Sequence, residues 1–408
     1  MSLKGLISKK KQVVTASILF VLLYFFRQLV YYIKPEIGYQ LVGNLDLLYI
    51  FGLLYLIPGK KSNKTKKWQL LLLPVTAVYI LLQSLLLYNL DITRSIINIT
   101  KIALCFLVLK YSLNNTQKIS IKLITSLFGV LGLIFILVAF IFYDSNILWR
   151  LNDTVNVFDL HRLKLFYTEP GELGMHCAIM AILSIGELIK TKNQKIRYAL
   201  ISILPVIACL ALTRSLGGIA VGLIAYIVLI VSNFFISHSK RSLLLIICSI
   251  SVLVLAVLWG ILSNNTLYLR ASSVIKDADS SSRYRITTAF TTTPAILADT
   301  HLLGIGFGNL ELPDNVNKYS SYGLVSAGII NSFMNFISEG GVLSICLVGY
   351  IIYKILSHSI RSKDPTKIGL AAFIILYQFM GTYFTNPLCW ICYAYILHDN
   401  KKEQKDTK

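Results

Sequence analysis

Three short polar strings place arginine next to residues that are typical of turns. They are residues 162–172 (RLKLFYTEPGE), 213–218 (TRSLGG) and 281–285 (SSRYR). A guanidinium presents a planar fork of donors that matches phosphate oxygens bidentately, and it stays protonated in a protein. The strings therefore predict a binding site for a ligand that carries phosphate.

The arginines in these strings differ in how tightly the sequence constrains them. Arg214 occupies a short turn between two apolar stretches, and the N–H groups of the helix that follows would also favour an anion. Arg283 and Arg285 flank Tyr284, so a second guanidinium near Arg214 could share the two phosphates of a diphosphate. Arg162 precedes an aromatic pair, where lipid headgroups would equally explain a basic residue. For each arginine, a solvated charge in a loop or at a helix end is the alternative interpretation.

Two carboxylates, Glu169 and Glu339, are candidates for proton transfer. Glu169 lies at the mouth of a predicted helix, where it could accept a proton from a hydroxyl or serve as an N-terminal helix charge. We assign Glu172 to the second of these roles. Glu339 lies inside an apolar stretch, and ionisable residues within membrane spans are functional candidates. The expected partner of Glu339 is Lys101 or a loop arginine.

A run of glycines at 304–308 (GIGFG) lies between the third arginine string and Glu339. Its glycines would let the backbone approach a partner closely. A flexible turn before the next helix is the alternative. The run has no lysine followed by serine or threonine, so it does not predict a nucleotide-phosphate loop.

The remaining sequence predicts the elements that must position these residues. The chain has 408 residues, of which 55% are hydrophobic, and a mean hydropathy of +0.68, which exceeds what one soluble core needs. Apolar stretches long enough to cross about 30 Å of hydrocarbon lie near 13–33, 39–58, 68–88, 95–113, 121–143, 173–189, 198–213, 216–236, 242–262, 331–355, 368–385 and 386–398. We therefore predict an all-α, polytopic membrane protein with about twelve transmembrane helices in one domain, residues 1–408.

Basic residues alternate between the loops, as the positive-inside rule requires. Of the 39 Lys and Arg residues, 25 lie in the loops and tails predicted to be cytoplasmic and 11 in the opposite loops, which cover more sequence. Both termini are therefore predicted to be cytoplasmic. The two largest extracytoplasmic loops are predicted at 144–172 and 263–330. No internal repeat of the kind found in many transporters is evident.

Other function classes receive little support from the sequence. The formal charge of +20 is scattered at helix ends without a nucleic-acid motif, so we expect no nucleic-acid partner. His161 and His301 lack a second ligand at metal spacing, so we expect no metal site and no cofactor. Cys389 and Cys392 have the spacing of a redox motif but lie in an apolar stretch, outside the fold in which that motif acts.

The order of the motifs resembles the superfamily of O-antigen ligases and Wzy-type polysaccharide polymerases. The resemblance covers about residues 160–345 and comprises Glu169-Pro170 after an outward arginine, TRSLGG at 213–218, Arg283 early in a long loop, GIGFG at 304–308, and Asn331 followed by Glu339. It implies a GT-C-like membrane glycosyltransferase of the bacterial cytoplasmic membrane. Such an enzyme transfers a glycan from undecaprenyl diphosphate to an acceptor hydroxyl and uses no nucleotide sugar.

The resemblance also implies roles for individual residues. The diphosphate ligands would be Arg214, Arg283 and, with less support, Arg285. The substrate contacts would be Arg162 and Asn331. The base would be Glu169 or Glu339.

The resemblance leaves more than one activity open. Ligases of the superfamily carry a histidine just before the asparagine, where this chain has Ile329-Ile330. The sequence therefore favours a polymerase that joins lipid-linked oligosaccharide repeat units into O-antigen or capsule. The nearest alternative is a ligase that moves finished glycan to lipid A or another acceptor, and the second is a lipid-linked oligosaccharide flippase. The partners implied for a polymerase are membrane lipids, a chain-length regulator and a flippase.

Overall fold

The described part of the chain is almost entirely helical. The computed structural model describes residues 67–87, 90–115, 120–150, 161–190, 195–238, 266–276, 279–326, 328–381 and 384–398, with residues 14, 15, 17, 18 and 21. The α-helices are α1 (Lys67–Leu86), α2 (Ile92–Asn115), α3 (Ile121–Ile141), α4 (Pro170–Lys190), α5 (Lys195–Tyr198), α6 (Leu204–Thr213), α7 (Leu216–Ser237), α8 (Thr266–Ile275), α9 (Ser280–Arg283), α10 (Ala289–Asp299), α11 (Pro313–Lys318), α12 (Ser332–Ser362), α13 (Pro365–Tyr377) and α14 (Pro387–Leu397). Two π-helical segments, Ala199–Ile203 and Tyr284–Thr288, join α5 to α6 and α9 to α10. The described strands are β1 (Trp149–Arg150) and β2 (Arg162–Leu163), which pair antiparallel.

Several helices are long and apolar enough to cross a membrane. Within the described residues there are five: Ile92–Lys110, Ile121–Ile141, Pro170–Lys190, Leu216–Ser237 and Ser332–Ser362. Four shorter apolar helices are Val75–Leu86, Ala199–Thr213, Pro365–Tyr377 and Pro387–Leu397. These helices support an all-α, membrane-embedded chain. The predicted spans 39–58 and 242–262, most of 13–33 and both termini lie outside the described residues, so the total of about twelve stays a prediction.

The two ends of the helix bundle are distinct in the structure. At one end, the hydroxyl of Tyr377 at the close of α13 donates to the carbonyl of Gly171 at the start of α4, at 2.9 Å. At the other end, Lys190 at the close of α4 pairs with Asp364 just before α13, at 3.0 Å. The two helices therefore run antiparallel, as the alternation of loop charge predicts. We call the first of these the loop end, because the described residues of 142–169, 214–215, 279–331 and 378–386 lie there.

The main apolar core joins α2, α3, α4, α6, α7, α12, α13 and α14. A second, smaller core lies beneath the long loop at the loop end. It consists of Ala289, Ile296, Ile305, Leu310, Tyr319, Leu324 and Ile329. A hydrogen bond of 2.9 Å between the hydroxyls of Thr293 and Ser338 fixes α10 to α12 beside this core. The long loop is therefore packed on the bundle through its own hydrophobic contacts.

The apolar stretch at 368–385 forms a shorter helix than its hydropathy predicts, whereas the stretch at 386–398 forms α14 with nearly the expected bounds. The stretch at 368–385 predicts a continuous span, whereas α13 ends at Tyr377 and α14 begins at Pro387. Between them, the N–H of Ser332 donates to the carbonyls of Gln378 at 2.8 Å and Gly381 at 3.0 Å. These carbonyls accept a hydrogen bond from the start of α12 instead of continuing the helical hydrogen bonds of α13. We call residues 378–381 the linker.

The longest helix, α12, is broken at Gly341. Its 31 residues would extend about 46 Å as a straight helix, which is more than the roughly 30 Å of a bilayer core. Gly341 has φ 54° and ψ −138°, which no helix can contain. The break leaves residues 342–362 as a helix of about 32 Å, which is long enough to span the apolar core of a bilayer. The preceding turns, residues 332–340, form a separate segment at the loop end.

The glycine run at 304–308 supplies the hydrogen bonds that the break removes. The N–H groups of Ile305 and Gly306 donate to the carbonyls of Ser338 and Glu339 at 3.0 and 2.9 Å. On the far side of the break, the N–H of Val342 donates to the carbonyl of Leu302 at 2.8 Å. Non-helical backbone at a membrane boundary is tolerated when protein partners satisfy its polar groups. The predicted close approach of the glycine run to a partner is thus observed, and the partner is α12.

Helix α1 completes the hydrogen bonding around the break. The side-chain amide of Gln83 donates to the carbonyls of Leu303 at 2.7 Å and Glu339 at 3.1 Å. The hydroxyl of Tyr79, one turn earlier, donates to the same Leu303 carbonyl at 2.9 Å. Asn309, just after the glycine run, accepts from the N–H of Asp91 between α1 and α2 at 2.8 Å. Side chains of α1 and the turn after it thus hold the loop against α12.

The break predicts a sharp difference between two glycines of the same helix. A Cβ at Gly341 would lie 2.1 Å from the carbonyl oxygen of Leu302 in a left-handed backbone conformation. Gly341→Ala should therefore destabilise the protein by about 2–4 kcal/mol, measured as a lower Tm in detergent. A Cβ at Gly349 would have no atom within 4 Å, so Gly349→Ala should keep or raise the Tm. A Tm for Gly341→Ala equal to that of the wild type would contradict the observed break.

Candidate functional site

Arg162 is brought to the turn that carries Arg214. In the hairpin of β1 and β2, Arg162 stands opposite Arg150. The Nε of Arg162 donates to the carbonyl oxygen of Thr213 at 3.1 Å. The first and second arginine strings therefore meet at the loop end, although they are 51 residues apart.

The turn between α6 and α7 holds Arg214 in an unusual conformation. Arg214 ends α6 with φ 48° and ψ 32°, the left-handed region that is unfavourable for residues with a Cβ. Ser215 then caps α7, because its hydroxyl accepts from the N–H of Gly218 at 3.4 Å. Strained backbone of this kind costs on the order of 1 kcal/mol and is concentrated at functional sites. The turn therefore gives Arg214 a fixed main chain at the loop end.

The two glycines after Arg214 are used for packing. A Cβ at Gly218 would lie 3.2 Å from the carbonyl carbon of Gly174 in α4, so the two helices approach closely there. A Cβ at Gly217 would lie 3.7 Å from the Cβ of Met380, a residue of the linker. Each glycine therefore faces protein, Gly218 against α4 and Gly217 against the linker.

Arg283 and Arg285 lie at the start of the helical unit formed by α9, the π-helical segment and α10, which we call the outer helical unit. Asp279 caps this unit by accepting from the N–H of Ser282 at 2.8 Å. The side chain of Arg283 is exposed and that of Arg285 is half-buried. Arg283 immediately precedes the π-helical segment Tyr284–Thr288 and Arg285 lies within it, a distortion that is often found at functional sites.

Asn331 joins the third arginine string to α12. Its Nδ2 donates to the carbonyl oxygen of Arg285 at 3.1 Å, and its Oδ1 accepts from the N–H of Met334 at 3.2 Å as the cap of α12. Asn331 is 0% exposed. In this structure it positions the main chain of Arg285, and its side-chain groups are both occupied by protein.

The linker connects the arginine-bearing segments. On one side, Met380 packs against Gly217 next to Arg214. On the other side, the carbonyls of Gln378 and Gly381 hold Ser332, which adjoins the Asn331 that contacts Arg285. The structure thus brings all three arginine strings to the loop end, around one short linker.

The two carboxylates of the first string lie in different environments. Glu169, the candidate base, is paired with Arg150, and the side chains are 58% and 34% exposed. Glu172 lies in the first turn of α4, as predicted for a charge at a helix N-terminus, and its side chain is 7% exposed. It accepts from Thr168 at 3.5 Å and from the Nδ2 of Asn386 at 3.4 Å. Of these two carboxylates, Glu172 is therefore the sheltered one.

Lys164 adds a further positive charge to the first string. Burial lowers the pKa of its ammonium group, the negative charge of Glu169 partly opposes this shift, and the positive charge of Arg150 adds to it. Desolvation and a neighbouring cation both disfavour protonated lysine. A bound anion would act in the opposite direction, so this half-buried cation is suited to an anionic ligand.

Glu339 lies in the last turn before the break in α12. Its carboxylate accepts from the backbone N–H groups of Gly308 and Leu310 and experiences the charges of Glu311 and Lys101. The charge of Lys101 acts on Glu339 less strongly than the other three neighbours do, and a direct ion pair between the two residues stays a prediction. Eight residues separate Glu339 from Asn331, or about 12 Å along a helix. Glu339 therefore belongs to the glycine-run region next to the arginine strings.

Sequence reasoning missed several residues that the structure places at the loop end. Arg150 follows no recognisable motif and reaches the site through the hairpin. Gln83 could have been identified from the sequence, because it is a polar residue inside the apolar stretch 68–88. Asn309, which follows the glycine run directly, is 0% exposed and hydrogen-bonded on all sides. Among the described residues, no group of three His, Cys, Asp or Glu side chains is suited to hold a metal ion.

Comparison with known protein families, with curated proteins and with solved structures gave no significant match. The resemblance to the ligase and polymerase superfamily therefore rests on the sequence motifs alone.

The role of Asn331 as a positioning residue can be separated from its role as a helix cap. Asn331→Ser keeps a capping hydroxyl but is too short to reach the carbonyl of Arg285, whereas Asn331→Ala loses both contacts. We expect Asn331→Ala to lower stability by about 1–3 kcal/mol and Asn331→Ser by clearly less. Both should accelerate hydrogen exchange at 284–288. Unchanged exchange in both variants would contradict the positioning role.

Glu172 and Glu169 should differ in their contribution to stability. Loss of an exposed ion pair costs about 0–1 kcal/mol, so Glu169→Ala should leave the Tm almost unchanged. Glu172→Ala leaves Thr168 and Asn386 without a buried acceptor, which costs about 1–3 kcal/mol. Thermal unfolding of both variants in the same detergent measures the difference. A larger loss for Glu169→Ala would show that the two environments are reversed.

Proposed function

We propose that this protein is a polysaccharide polymerase of the bacterial cytoplasmic membrane. It joins oligosaccharide repeat units that are linked to undecaprenyl diphosphate, making O-antigen or capsule. The observation that carries the proposal is the meeting of three arginine strings at one end of an apolar helix bundle. A lipid diphosphate has a charged group at the membrane boundary and a long apolar tail within the membrane, and this arrangement fits both.

The loop end is proposed to face away from the cytoplasm. The basic residues of the opposite end, which include Lys190 and Lys367, support this orientation by the positive-inside rule. Both chain termini would then be cytoplasmic. In this orientation the long loop, with Arg283 and Arg285, faces the compartment in which repeat units are polymerised.

The proposed reaction is a single displacement at an anomeric carbon. A hydroxyl oxygen of the incoming repeat unit attacks the anomeric carbon of the growing chain, and the bond from that carbon to the diphosphate oxygen breaks. The electron pair of the broken bond remains on the undecaprenyl diphosphate. Arg214 and Arg283, with Arg285, would stabilise the charge that develops on this leaving oxygen. The configuration at the anomeric carbon is therefore inverted.

A carboxylate would take the proton from the attacking hydroxyl. The candidates from the sequence are Glu169 and Glu339, and the burial of Glu172 adds a third. Glu169 is exposed and close to Arg150, Glu172 is sheltered beside α14, and Glu339 is held by the glycine run. Replacement of each by glutamine, which keeps the shape and removes the basicity, identifies the base as the variant with the largest loss of kcat at normal Tm.

The central test measures the size distribution of lipid-linked glycan in cells that lack the protein. Complementation uses wild type, Arg214→Ala, Arg214→Lys and Arg283→Ala at matched expression. We expect a ladder with wild type and single repeat units with both alanine variants, because loss of one donor to a developing oxyanion slows transfer by about a hundredfold or more. Arg214→Lys should recover only part of the ladder, since lysine lacks the bidentate fork.

Arg361→Ala is the matched control, because Arg361 is exposed at the opposite end of the bundle. It should give a normal ladder. An intact lipid-linked ladder that fails to reach its final acceptor in cells without the protein would indicate a ligase. Single units trapped on the cytoplasmic face would indicate a flippase. Either result would replace the polymerase proposal.

A further inference from the structure

An apolar patch adjoins the arginine strings at the loop end. It consists of Ile286 and Phe290 on the outer helical unit and Phe379 and Met380 on the linker. Ile286 is 48% and Phe290 49% exposed, while Phe379 and Met380 are partly exposed. The rings of Phe290 and Phe379 stack with centroids 6.5 Å apart and planes 14° apart, so both elements form one surface. We call these four residues the linker patch.

The linker patch lies between charged segments on both sides. Met380 packs on Gly217, three residues after Arg214. Ile286 is three positions after Arg283 in the same helical unit, a spacing at which side chains are neighbours on a helical surface. A ligand bound between these arginines would therefore meet Phe290, Phe379 and Met380 next to its charged group.

The face of the outer helical unit that carries Ile286 and Phe290 is exposed, because the unit packs on the bundle through its other face. This other face, formed by Thr288, Ala289, Thr292, Thr293 and Ile296, is buried against α12 and the smaller core. The linker side is also anchored, because Phe333 packs edge-on against Phe379 with centroids 5.2 Å apart. Phe379 and Met380 thus anchor the patch to the main core, and Ile286 and Phe290 are its more exposed members.

We infer that the linker patch binds the first isoprene units of the polyisoprenoid diphosphate whose phosphates are held by Arg214, Arg283 and Arg285. This inference rests on the proposed function and assigns the part of the donor lipid next to its charged group. Isoprene units are branched and unsaturated, and they pack well on aromatic and thioether side chains. The diphosphate and the patch together require a ligand that is anionic at one end and apolar directly beside it.

The test compares two soluble probes on the full-length protein in one detergent. Geranyl diphosphate carries two isoprene units, and inorganic diphosphate carries none. Wild type should bind geranyl diphosphate more tightly than inorganic diphosphate. Phe290→Ala and Ile286→Ala should each lower the affinity for geranyl diphosphate by about tenfold, as expected for the loss of one or two buried methylene contacts. Inorganic diphosphate should bind these variants as it binds wild type, within about twofold.

The matched control is Phe142→Ala, since Phe142 is 59% exposed at the loop-end terminus of α3 and lies outside the linker patch. It should bind both probes as wild type does. A Tm within a few degrees of wild type shows that each variant is folded, which the partial exposure of Phe290 and Ile286 favours. Phosphatidylglycerol should displace geranyl diphosphate poorly, because its two acyl chains do not match a single isoprenoid chain.

The outcomes separate the patch from the proposed function. Unchanged geranyl diphosphate affinity in Phe290→Ala and Ile286→Ala, with both probes bound by wild type, would overturn the patch and leave the polymerase proposal intact. Effective displacement by phosphatidylglycerol would also overturn it, since the face would then be a general lipid surface. Failure of wild type to bind either diphosphate would count against the proposed function itself and against the patch with it.

Discussion

The arrangement of the loop end depends on how the backbone is hydrogen-bonded at the break in α12. A helix that stops within an apolar environment leaves carbonyl and N–H groups that water cannot reach, and each costs several kcal/mol if left without a partner. Here the glycine run donates to Ser338 and Glu339, and Gln83 adds a second donor to Glu339. The long loop is therefore tied to the bundle by main-chain bonds. The position of the outer helical unit and its arginines follows from that attachment.

The arginine segments are held mainly through main-chain atoms. Thr213 and Arg285 each offer a carbonyl oxygen, to Arg162 and Asn331 respectively. These two contacts use main-chain oxygens of the turn and of Arg285, so substitution of the Arg214 or Arg285 side chain removes neither acceptor. Arg162 is different, because its own Nε makes the contact with Thr213. Its replacement would disturb the turn as well as remove a charge.

The types of secondary-structure element and the positions of the polar strings could be predicted from the sequence better than the contacts between these segments. Long apolar stretches such as 121–143 and 216–236 became helices with nearly the expected bounds, because hydropathy over some 20 residues is a strong local signal. The glycine run was recognised as backbone that approaches a partner, but the partner is separated from it by more than 30 residues. Nothing local specifies that pairing. The same holds for Asn331 and Arg285, whose contact spans 46 residues.

The environments of Glu169 and Glu172 show why burial could not be predicted. Both flank Pro170-Gly171 at the start of α4, and they are one helical turn apart, so their local sequence is nearly equivalent. What distinguishes them is the start of α14, where Asn386 caps its own helix with Oδ1 and reaches Glu172 with Nδ2. A helix more than 200 residues away thus decides which carboxylate is sheltered.

The two parts of the proposed ligand site are expected to contribute in different ways. A lipid-linked donor is already confined to the membrane, and its tail leaves one apolar environment for another when it meets the linker patch. The hydrophobic effect therefore adds little net affinity within the bilayer. The gain lies in orientation, because a tail fixed on Phe290 and Phe379 directs the diphosphate toward Arg214 and Arg283. Correct placement of the reacting group lowers the barrier more effectively than tighter binding that is equal in the ground and transition states.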